Sequence, residues 1–224
     1  MATIKIMKKA EIDVVILTYN RKDLLIQTLE KLKTQSVKSF NLILTDDGSK
    51  ELINPNDYPF IKRYMWDFDD GYHRVGKFNE AISMCASDKI VILDDDCVPV
   101  YDDFLETHIA ILNKFDISRG IVKFPNGGTA AGWFSTANIG FRKDVIDALG
   151  GFDPNFDGHY GHEDRDLGLR IEDGKYSISP FSEYTSVMHL GVMYKNGDRS
   201  DEVVGHNTRY FTQKWGFGPK ESRK

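Results

Sequence analysis

The 224 residues carry a formal net charge of −5, and 41% of them are hydrophobic and 12% aromatic. This charge provides no basic field to collect phosphates, so the composition excludes a protein that binds nucleic acid non-specifically. The hydrophobic content is sufficient for a full core, and the absence of a linker predicts one domain.

The two cysteines, Cys85 and Cys97, are too few for a disulfide framework, so we expect reduced thiols. The N-terminal residues lack the pattern of a signal peptide, and no apolar stretch approaches the roughly 18 residues expected of a transmembrane helix. We therefore expect a cytoplasmic protein without a transmembrane segment. The sequence leaves peripheral membrane association open.

The first hundred residues alternate between buried strands, predicted by apolar runs, and helices, predicted by apolar residues at helical spacing. The predicted elements are the strand 12–18, the helix 22–34, the strands 40–44 and 60–65, the helix 75–86 and the strand 89–93. This alternation predicts an α/β fold of Rossmann-like type, with a mostly parallel central sheet flanked by helices. The glycine patterns of dinucleotide and P-loop sites are missing, so neither site is predicted.

The pattern changes after Pro99, where the predicted elements alternate less regularly. They are the helix 102–115, the strands 117–124 and 134–141, the helix 144–149, a helix beginning at Glu163, the strands 177–179 and 185–188, and the helix 207–215. Trp133 and Trp215 lie in this half, and each is predicted either to fill the core or to stack on a ligand.

Three consecutive aspartates, Asp94, Asp95 and Asp96, directly follow the buried strand 89–93. Open α/β sheets bind their ligands at the carboxyl ends of such strands. The mutual repulsion of adjacent carboxylates is relieved by a hard divalent cation such as Mg²⁺ or Mn²⁺, which leaves coordination places for substrate phosphates. The sequence thus predicts a cation site here, with a solvated acidic turn as the alternative.

Two further acidic pairs are candidates for the same site. Asp46 and Asp47 follow the strand 40–44, where they are predicted either to accept hydrogen bonds from a nucleobase or ribose or to form an Asx turn. Glu163 and Asp164 begin a helix, where they are predicted either to cap it or to present a general base. His189 ends a strand-like run and is a candidate metal ligand.

Four blocks in this order resemble the family 2-type glycosyltransferases of the GT-A fold. The blocks are VVILTYNRKDLLIQTL at 14–29, DDGS at 46–49, LDDDCVP at 93–99, and ANIGFRKDVIDALGGFDPNF followed by GHEDRDLGLRI at 137–171. The last block also resembles the ED motif of the beta-1,4-galactosyltransferase and polypeptide GalNAc-transferase group. In that motif Trp-Gly-Gly usually precedes the acidic pair, where this chain has Tyr160-Gly161-His162.

The resemblance implies a role for each matching residue. Donor contacts fall on Thr18, Tyr19, Asn20, Asp46, Asp47, Arg74, Asn79, Asp94 and Asp95. The implied ligands of Mn²⁺ or Mg²⁺ are Asp94, Asp96 and His189. Asp164 is implied as the general base, with Glu163 as a contact to the acceptor. Residues 10–100 form the implied nucleotide-sugar-binding half, and residues 101–224 the acceptor-binding and catalytic half.

The implied reaction is the metal-dependent, inverting transfer of a single sugar from a nucleotide-sugar, here a UDP-sugar, to a hydroxyl of a glycan or another acceptor. A nucleotidyltransferase is one alternative, although the stretch 17–21 lacks the glycine-rich loop normal after its first strand. A non-catalytic module that binds sugar nucleotides or glycans on the GT-A scaffold is the other. Binding alone requires no base, so the pair Glu163 and Asp164 disfavours the module.

Overall fold

The computed structural model describes residues 9–68, 71–130, 134–191 and 201–221. Its strands are β1 (Ile12–Thr18), β2 (Phe40–Asp46), β3 (Ile61–Trp66), β4 (Lys89–Asp94), β5 (Cys97–Pro99), β6 (Ile117–Arg119), β7 (Ile121–Lys123), β8 (Thr129–Ala130), β9 (Asn138–Arg142) and β10 (Ser186–His189). Its α-helices are α1 (Lys22–Lys33), α2 (Arg74–Met84), α3 (Phe104–Leu112), α4 (Lys143–Ala148), α5 (Glu163–Asp173) and α6 (Asp201–Trp215).

The central sheet has six strands in the order β3-β2-β1-β4-β9-β6. β1 pairs in parallel with β2 and β4, and β2 pairs in parallel with β3. β9 and β6 complete the sheet with antiparallel pairings. The mostly parallel α/β sheet predicted from the apolar runs is therefore confirmed.

Helices cover both faces of this sheet, which explains why its inner strands are apolar without alternation. Val15 and Leu17 of β1 pack on the face covered by α2, α4, α5 and α6, in a cluster that includes Phe78. Val14 and Ile16 pack on the opposite face with residues of α1 and α3. Among the described residues, no helix is both long and apolar enough to cross a bilayer.

A second sheet has the strand order β5-β10-β7-β8, and its first strand is adjacent in sequence to the three aspartates. β5 begins directly after Asp96 and pairs antiparallel with β10, so that His189 lies opposite Cys97. Both cysteines are buried and free, as expected. This small sheet brings a late residue of the chain to the end of β4.

The prediction of one strand over 117–124 is wrong. The chain changes sheets at Gly120, where β6 ends in the central sheet and β7 starts in the second one. The side chain of Asn138 occupies the space beside Gly120, where an added Cβ would lie 2.1 Å from the Asn138 amide nitrogen. That nitrogen donates to the carbonyl of Thr185 at 2.7 Å. Position 120 requires a glycine because the Asn138 side chain, which bonds to Thr185, leaves no room there for a Cβ.

Two other predicted strands are shorter in the structure. In the predicted strand 134–141 only the part from Asn138 onward is in the sheet, and β9 then continues to Arg142. The predicted strand 177–179 forms only an isolated bridge between Ile178 and Ile117. Both segments were predicted from apolar residues that pack on the core without forming a full ladder.

The fully buried His108 on α3 makes the stability of the fold depend on pH. Its Nδ1 lies 2.8 Å from the Ser118 hydroxyl, and burial lowers the pKa of His108 to about 3. An unfolded histidine has a pKa of about 6.5, so between these values the unfolded state binds more protons. The free energy of unfolding therefore decreases as the pH falls below about 6.5.

We expect the wild-type protein to lose about 2 kcal/mol more unfolding free energy than His108→Gln between pH 7 and pH 5. Urea unfolding at the two pH values measures this difference. The variant is its own control for the carboxylates, because it retains all of them. An identical pH dependence in both proteins would refute this prediction.

Candidate active site

The carboxyl ends of β1, β2 and β4 lie side by side at one edge of the central sheet. Asp46 at the end of β2 is aligned with Thr18 of β1, and Asp94 at the end of β4 is aligned with Leu17. The acidic clusters that follow β2 and β4 therefore flank β1 at the edge where open α/β sheets bind ligands.

The two aspartates after β2 make different contacts. Asp46 accepts hydrogen bonds from the Ser49 amide at 2.8 Å and the Tyr64 hydroxyl at 3.0 Å, and so stabilises the turn. Asp47 accepts one from the His73 amide at 3.1 Å. Its other oxygen is buried and has no partner among the described residues. Burial raises the pKa of Asp47, and its free oxygen is an acceptor available to a ligand.

Thr18, Tyr19 and Asn20 end β1 at this edge. The Thr18 hydroxyl donates to Asp95 Oδ2 at 2.7 Å. Asn20 has a φ of 52°, and its backbone amide donates to the Ser49 hydroxyl at 2.7 Å. Thr18 and Asn20 thus join the loops on either side of β1, while the Tyr19 side chain is 43% exposed at the edge.

Asp95, the middle aspartate, is buried and bonded within the protein. Its carboxylate accepts the Thr18 hydroxyl and lies 3.4 Å from Arg21 Nη1. Its backbone carbonyl accepts the Thr28 hydroxyl of α1 at 2.8 Å. Burial raises the pKa of Asp95 to about 7. These contacts anchor the aspartate cluster to β1 and α1.

Arg21 is a site residue that the sequence pattern does not identify. Its Nη1 lies 3.0 Å from Asp96 Oδ2 and 3.4 Å from Asp95 Oδ1. The arginine offsets part of the repulsion within the cluster. The sequence feature that could have identified Arg21 is a basic residue shortly after a strand whose end lies beside three aspartates.

Asp96, Cys97 and His189 bring an oxygen, a sulfur and a nitrogen within 4.8 Å of one another. His189 Nε2 lies 3.6 Å from Asp96 Oδ1. The buried His189 Nδ1 has no hydrogen-bond partner in the part of the chain that the structure describes. The nitrogen beside the carboxylate is Nε2, and it is this nitrogen that is suited to a cation.

The donor set fits a divalent cation bound by oxygen and nitrogen. Carboxylates suit Mg²⁺ and Mn²⁺, and imidazole is a common ligand of divalent transition metals. Burial raises the pKa of Asp96 and raises that of the Cys97 thiol well above its usual range. Because Mg²⁺ and Mn²⁺ prefer hard oxygen ligands to a soft thiolate, Cys97 is not suited to be their ligand. Asp96 and His189 remain as the fitting donors of this group, and the predicted ligand Asp94 lies outside it.

Arg74, at the start of α2, joins the two acidic clusters. Its Nη2 lies 3.0 Å from Asp94 Oδ1 and 3.1 Å from the Thr136 hydroxyl, while its Nε lies 3.2 Å from Glu163 Oε1. The guanidinium also lies 4.8 Å from the centre of the Phe78 ring. Burial lowers the pKa of Arg74, but the two carboxylates outweigh it and raise that pKa.

Glu163 and Asp164 begin α5, so the predicted helix start is confirmed. The preceding residue, His162, has a φ of 72°, which turns the chain sharply into the helix. Asp164 Oδ1 accepts the Arg165 amide at 2.7 Å. Burial and the neighbouring Glu163 raise the pKa of Asp164 to about 7. A carboxyl group with a raised pKa is suited to accept a proton near neutral pH.

The side chains of Asn79 and Trp215, predicted as possible ligand contacts, and that of the nearby Lys77 are engaged within the protein. The Asn79 amide group binds both the carbonyl and the amide of Phe152, at 2.9 and 2.8 Å. Lys77 pairs with Asp67 at 2.8 Å. Trp215 packs against the core and donates to a buried aspartate of α5. Trp133 lies outside the described residues.

The comparisons with known proteins give one family. The glycosyl transferase family 2 model matches residues 13–161. The amylovoran biosynthesis glycosyltransferase AmsB of Erwinia amylovora is 27% identical over 116 residues, a stretch that covers 49% of this chain and 38% of AmsB. The family match ends before Glu163 and Asp164, so the resemblance of the ED block stays a prediction.

Solved structures share the fold at low sequence identity. The mannosyltransferase PcManGT from Pyrobaculum calidifontis, solved with GDP-Man and Mn²⁺, has a TM-score of 0.67 at 15% identity, covering 95% of this chain and 66% of its own. S. aureus TarS 1-349, solved with UDP-GlcNAc, has a TM-score of 0.70 at 14% identity, covering 94% and 68%. These likenesses, together with the family match, confirm the GT-A fold.

Replacing Arg74 with Met leaves Asp94 and Glu163 without their shared cation. Their side chains are 22% and 8% exposed, so both carboxylates are partly desolvated. We expect the free energy of unfolding at pH 7, measured in urea, to fall by about 2 to 3 kcal/mol. The control is Arg142→Met, whose exposed pair with Asp144 should matter by less than about 0.5 kcal/mol. Equal losses in both variants would contradict the prediction.

Proposed function

Because the chain belongs to glycosyl transferase family 2, we propose that it transfers a single sugar from a nucleotide-sugar, a UDP-sugar, to a hydroxyl of a glycan or another acceptor. The proposed reaction inverts the anomeric carbon and depends on a divalent cation. The observation that carries the proposal is the pairing of Arg74 with both Asp94 and Glu163. It brings a donor site and a candidate base together, and transfer requires such proximity whereas binding alone does not.

Residues 10–100 supply most of the donor site in this proposal, and residues 101–224 the acceptor site and the base. Asp47 accepts a hydrogen bond from the nucleobase through its unpartnered oxygen. The exposed Tyr19 ring lines the same edge. The GDP-Man and UDP-GlcNAc in the PcManGT and TarS structures support a donor of this class.

Asp94, Asp96 and His189 would hold Mn²⁺ or Mg²⁺. When bound, the cation would neutralise negative charge on the departing diphosphate. The position of His189 Nε2 beside Asp96 and the cluster of ligand atoms around it support this assignment, as does the Mn²⁺ in the PcManGT structure. Arg21 holds Asp96 from the opposite oxygen and so fixes the orientation of that carboxylate.

Asp164 is the proposed general base. Its carboxylate accepts the proton of the acceptor hydroxyl as the acceptor oxygen attacks the anomeric carbon. The bond from that carbon to the diphosphate oxygen breaks at the same time, and its electron pair leaves with the nucleoside diphosphate. Glu163, held by Arg74, is placed beside the base and contacts the acceptor in this proposal.

The test is a thermal-shift panel of nucleotide sugars with and without Mn²⁺, followed by product analysis with hydroxyl acceptors. A donor that binds the folded state raises Tm, and the shift increases with the logarithm of its affinity. We expect one donor to give a metal-dependent shift and slow hydrolysis of the same donor. A shift without hydrolysis or transfer would indicate a binding module, and no shift with any nucleotide sugar would contradict the proposal.

Replacing Asp164 with Asn removes the proton acceptor and leaves the donor site unchanged. We expect kcat for transfer to fall by about 10³-fold, within the range for loss of a general base. The Kd of UDP in the presence of Mn²⁺ should stay within about threefold of wild type, because ground-state binding is retained. Steady-state kinetics and isothermal titration measure the two quantities.

The control for this prediction is Asp173→Asn, the same substitution at an exposed position near the other end of α5. It should leave kcat unchanged. Full activity in Asp164→Asn would refute the assignment of the base, and a parallel loss of UDP binding would assign Asp164 to the donor site instead.

The assignment of metal ligands predicts opposite results for adjacent residues. Asp96→Asn and His189→Gln should each weaken the binding of Mn²⁺ by at least about tenfold, because losing even an indirect partner of a metal costs this much. Cys97→Ser should leave Mn²⁺ affinity unchanged, since a soft sulfur ligand does not suit this cation. The paramagnetic resonance signal of free Mn²⁺ measures the three affinities. Weakening by Cys97→Ser alone would overturn the ligand set.

A further inference from the structure

The segment between Phe156 and Glu163 has an irregular backbone that must be held in place. Gly158, Gly161 and His162 have φ values of 76°, 95° and 72°, in the left-handed region. His162 pays a steric penalty there that the glycines avoid. This segment, residues 157–162, is called the ED loop below, because Glu163 and Asp164 follow it directly.

The side chain of Asn207, on α6, contacts the ED loop and Phe156, the residue before it. Its side-chain nitrogen lies 3.0 Å from each of the carbonyl oxygens of Phe156, His159 and Gly161. The Asn207 side chain is fully buried. A buried amide that reaches three backbone carbonyls of one segment fixes its shape, because each carbonyl would otherwise lose its partner.

The next residue of α6 strengthens this attachment. The Thr208 hydroxyl lies 3.0 Å from His162 Nε2. His206, on the other side of Asn207, stacks on His159 with ring centres 4.0 Å apart. Three consecutive residues of α6 thus contact the ED loop, and the last of these contacts holds the residue that turns the chain into α5.

The other side of the ED loop is tied to the start of α2. Asp157 Oδ1 accepts the Val75 amide at 3.0 Å, and the Gly158 amide donates to the Tyr72 carbonyl at 2.9 Å. Arg74 lies between these two attachment points and contacts Glu163. The position of Glu163 relative to Arg74 therefore depends on the shape of the ED loop.

We propose that Asn207 is a positioning residue for the transfer reaction: it holds the ED loop in the shape that sets Glu163 against Arg74 and Asp164 toward the acceptor. This inference rests on the proposed function. Asn207 lies outside the residues that the family model matches. An aspartate would not replace it, because a carboxylate offers no donor to the three carbonyls and would repel them.

The experiment compares Asn207→Ala, Asn207→Asp and Asn207→Ser with Tyr210→Phe. Tyr210 lies on the same helix, and its hydroxyl donates to Asp153 at 2.9 Å, outside the ED loop. Tyr210→Phe is thus the matched control for a lost hydrogen bond of α6. The Asn207 variants and Tyr210→Phe should all lower Tm, so a difference in kcat between them cannot be explained by stability alone.

We expect kcat for transfer to fall by about 10- to 100-fold in Asn207→Ala and Asn207→Asp, because a displacement near 1 Å costs up to about 10²-fold. The KM for the donor should stay within threefold. Asn207→Ser, which retains a donor, should recover part of kcat, and Tyr210→Phe should retain the wild-type value. Amide hydrogen exchange should accelerate over residues 157–163 in the Asn207 variants and not in Tyr210→Phe.

The inference is overturned when Asn207→Ala and Tyr210→Phe have the same kcat, or when the whole loss lies in the donor KM. If Asn207→Ala fails to fold, Asn207→Ser supplies the same comparison. A wild-type protein with no transfer activity would refute the proposed function, and the hydrogen exchange would still decide the role of Asn207. Unchanged exchange over 157–163 in the folded Asn207 variants would overturn that role.

Discussion

The contact of one guanidinium with two carboxylates holds the candidate site together. Arg74 pairs with Asp94 at the end of β4 and with Glu163 at the start of α5. Asp94 belongs to the central sheet, whereas Glu163 lies on a helix that follows the last strand of that sheet in the chain. Arginine suits this position because its planar group donates in several fixed directions at once, whereas a lysine offers a single point charge. The relative placement of the two acidic clusters depends on this contact.

The site is built with more negative charge than its own arginines neutralise. Burial raises the pKa values of Asp47, Asp95, Asp96 and Asp164 even with Arg21 and Arg74 nearby. Carboxylates concentrated at low dielectric create a strong local field, which a positively charged ligand relieves. A bound cation would therefore contribute to the stability of the folded state as well as to chemistry.

Local patterns were sufficient to predict the central sheet and the position of the aspartates after β4. A continuous apolar run defines a buried strand without knowledge of its neighbours, and the acidic residues that follow it end the run. The distinction between Asp46 and Asp47 was not accessible from the sequence. It depends on Tyr64 and His73, which approach from other elements. The break after β6 was equally inaccessible, because it depends on the Asn138 side chain, which occupies the space where a Cβ of Gly120 would lie.

Arg21 and Asn207 show the same limit for the site. Arg21 is a site residue because it contacts aspartates that follow a different strand. Asn207 is one because it contacts carbonyls of a loop far earlier in the chain. The contact of the Asn79 amide with Phe152, far along the chain, is equally invisible in the sequence. Side-chain partners separated by long stretches of sequence leave no periodic signal for a reader of the chain.

The attachment of α6 to the ED loop has a consequence for the order of folding. Contacts between segments far apart in sequence form late, because the entropy of closing the intervening chain must be overcome first. Arg74 and the ends of β1, β2 and β4 emerge from the ribosome before the ED loop, while Asn207 emerges after it. A nascent chain that has completed its central sheet would therefore still lack a fixed ED loop. The maturation of the site waits for α6.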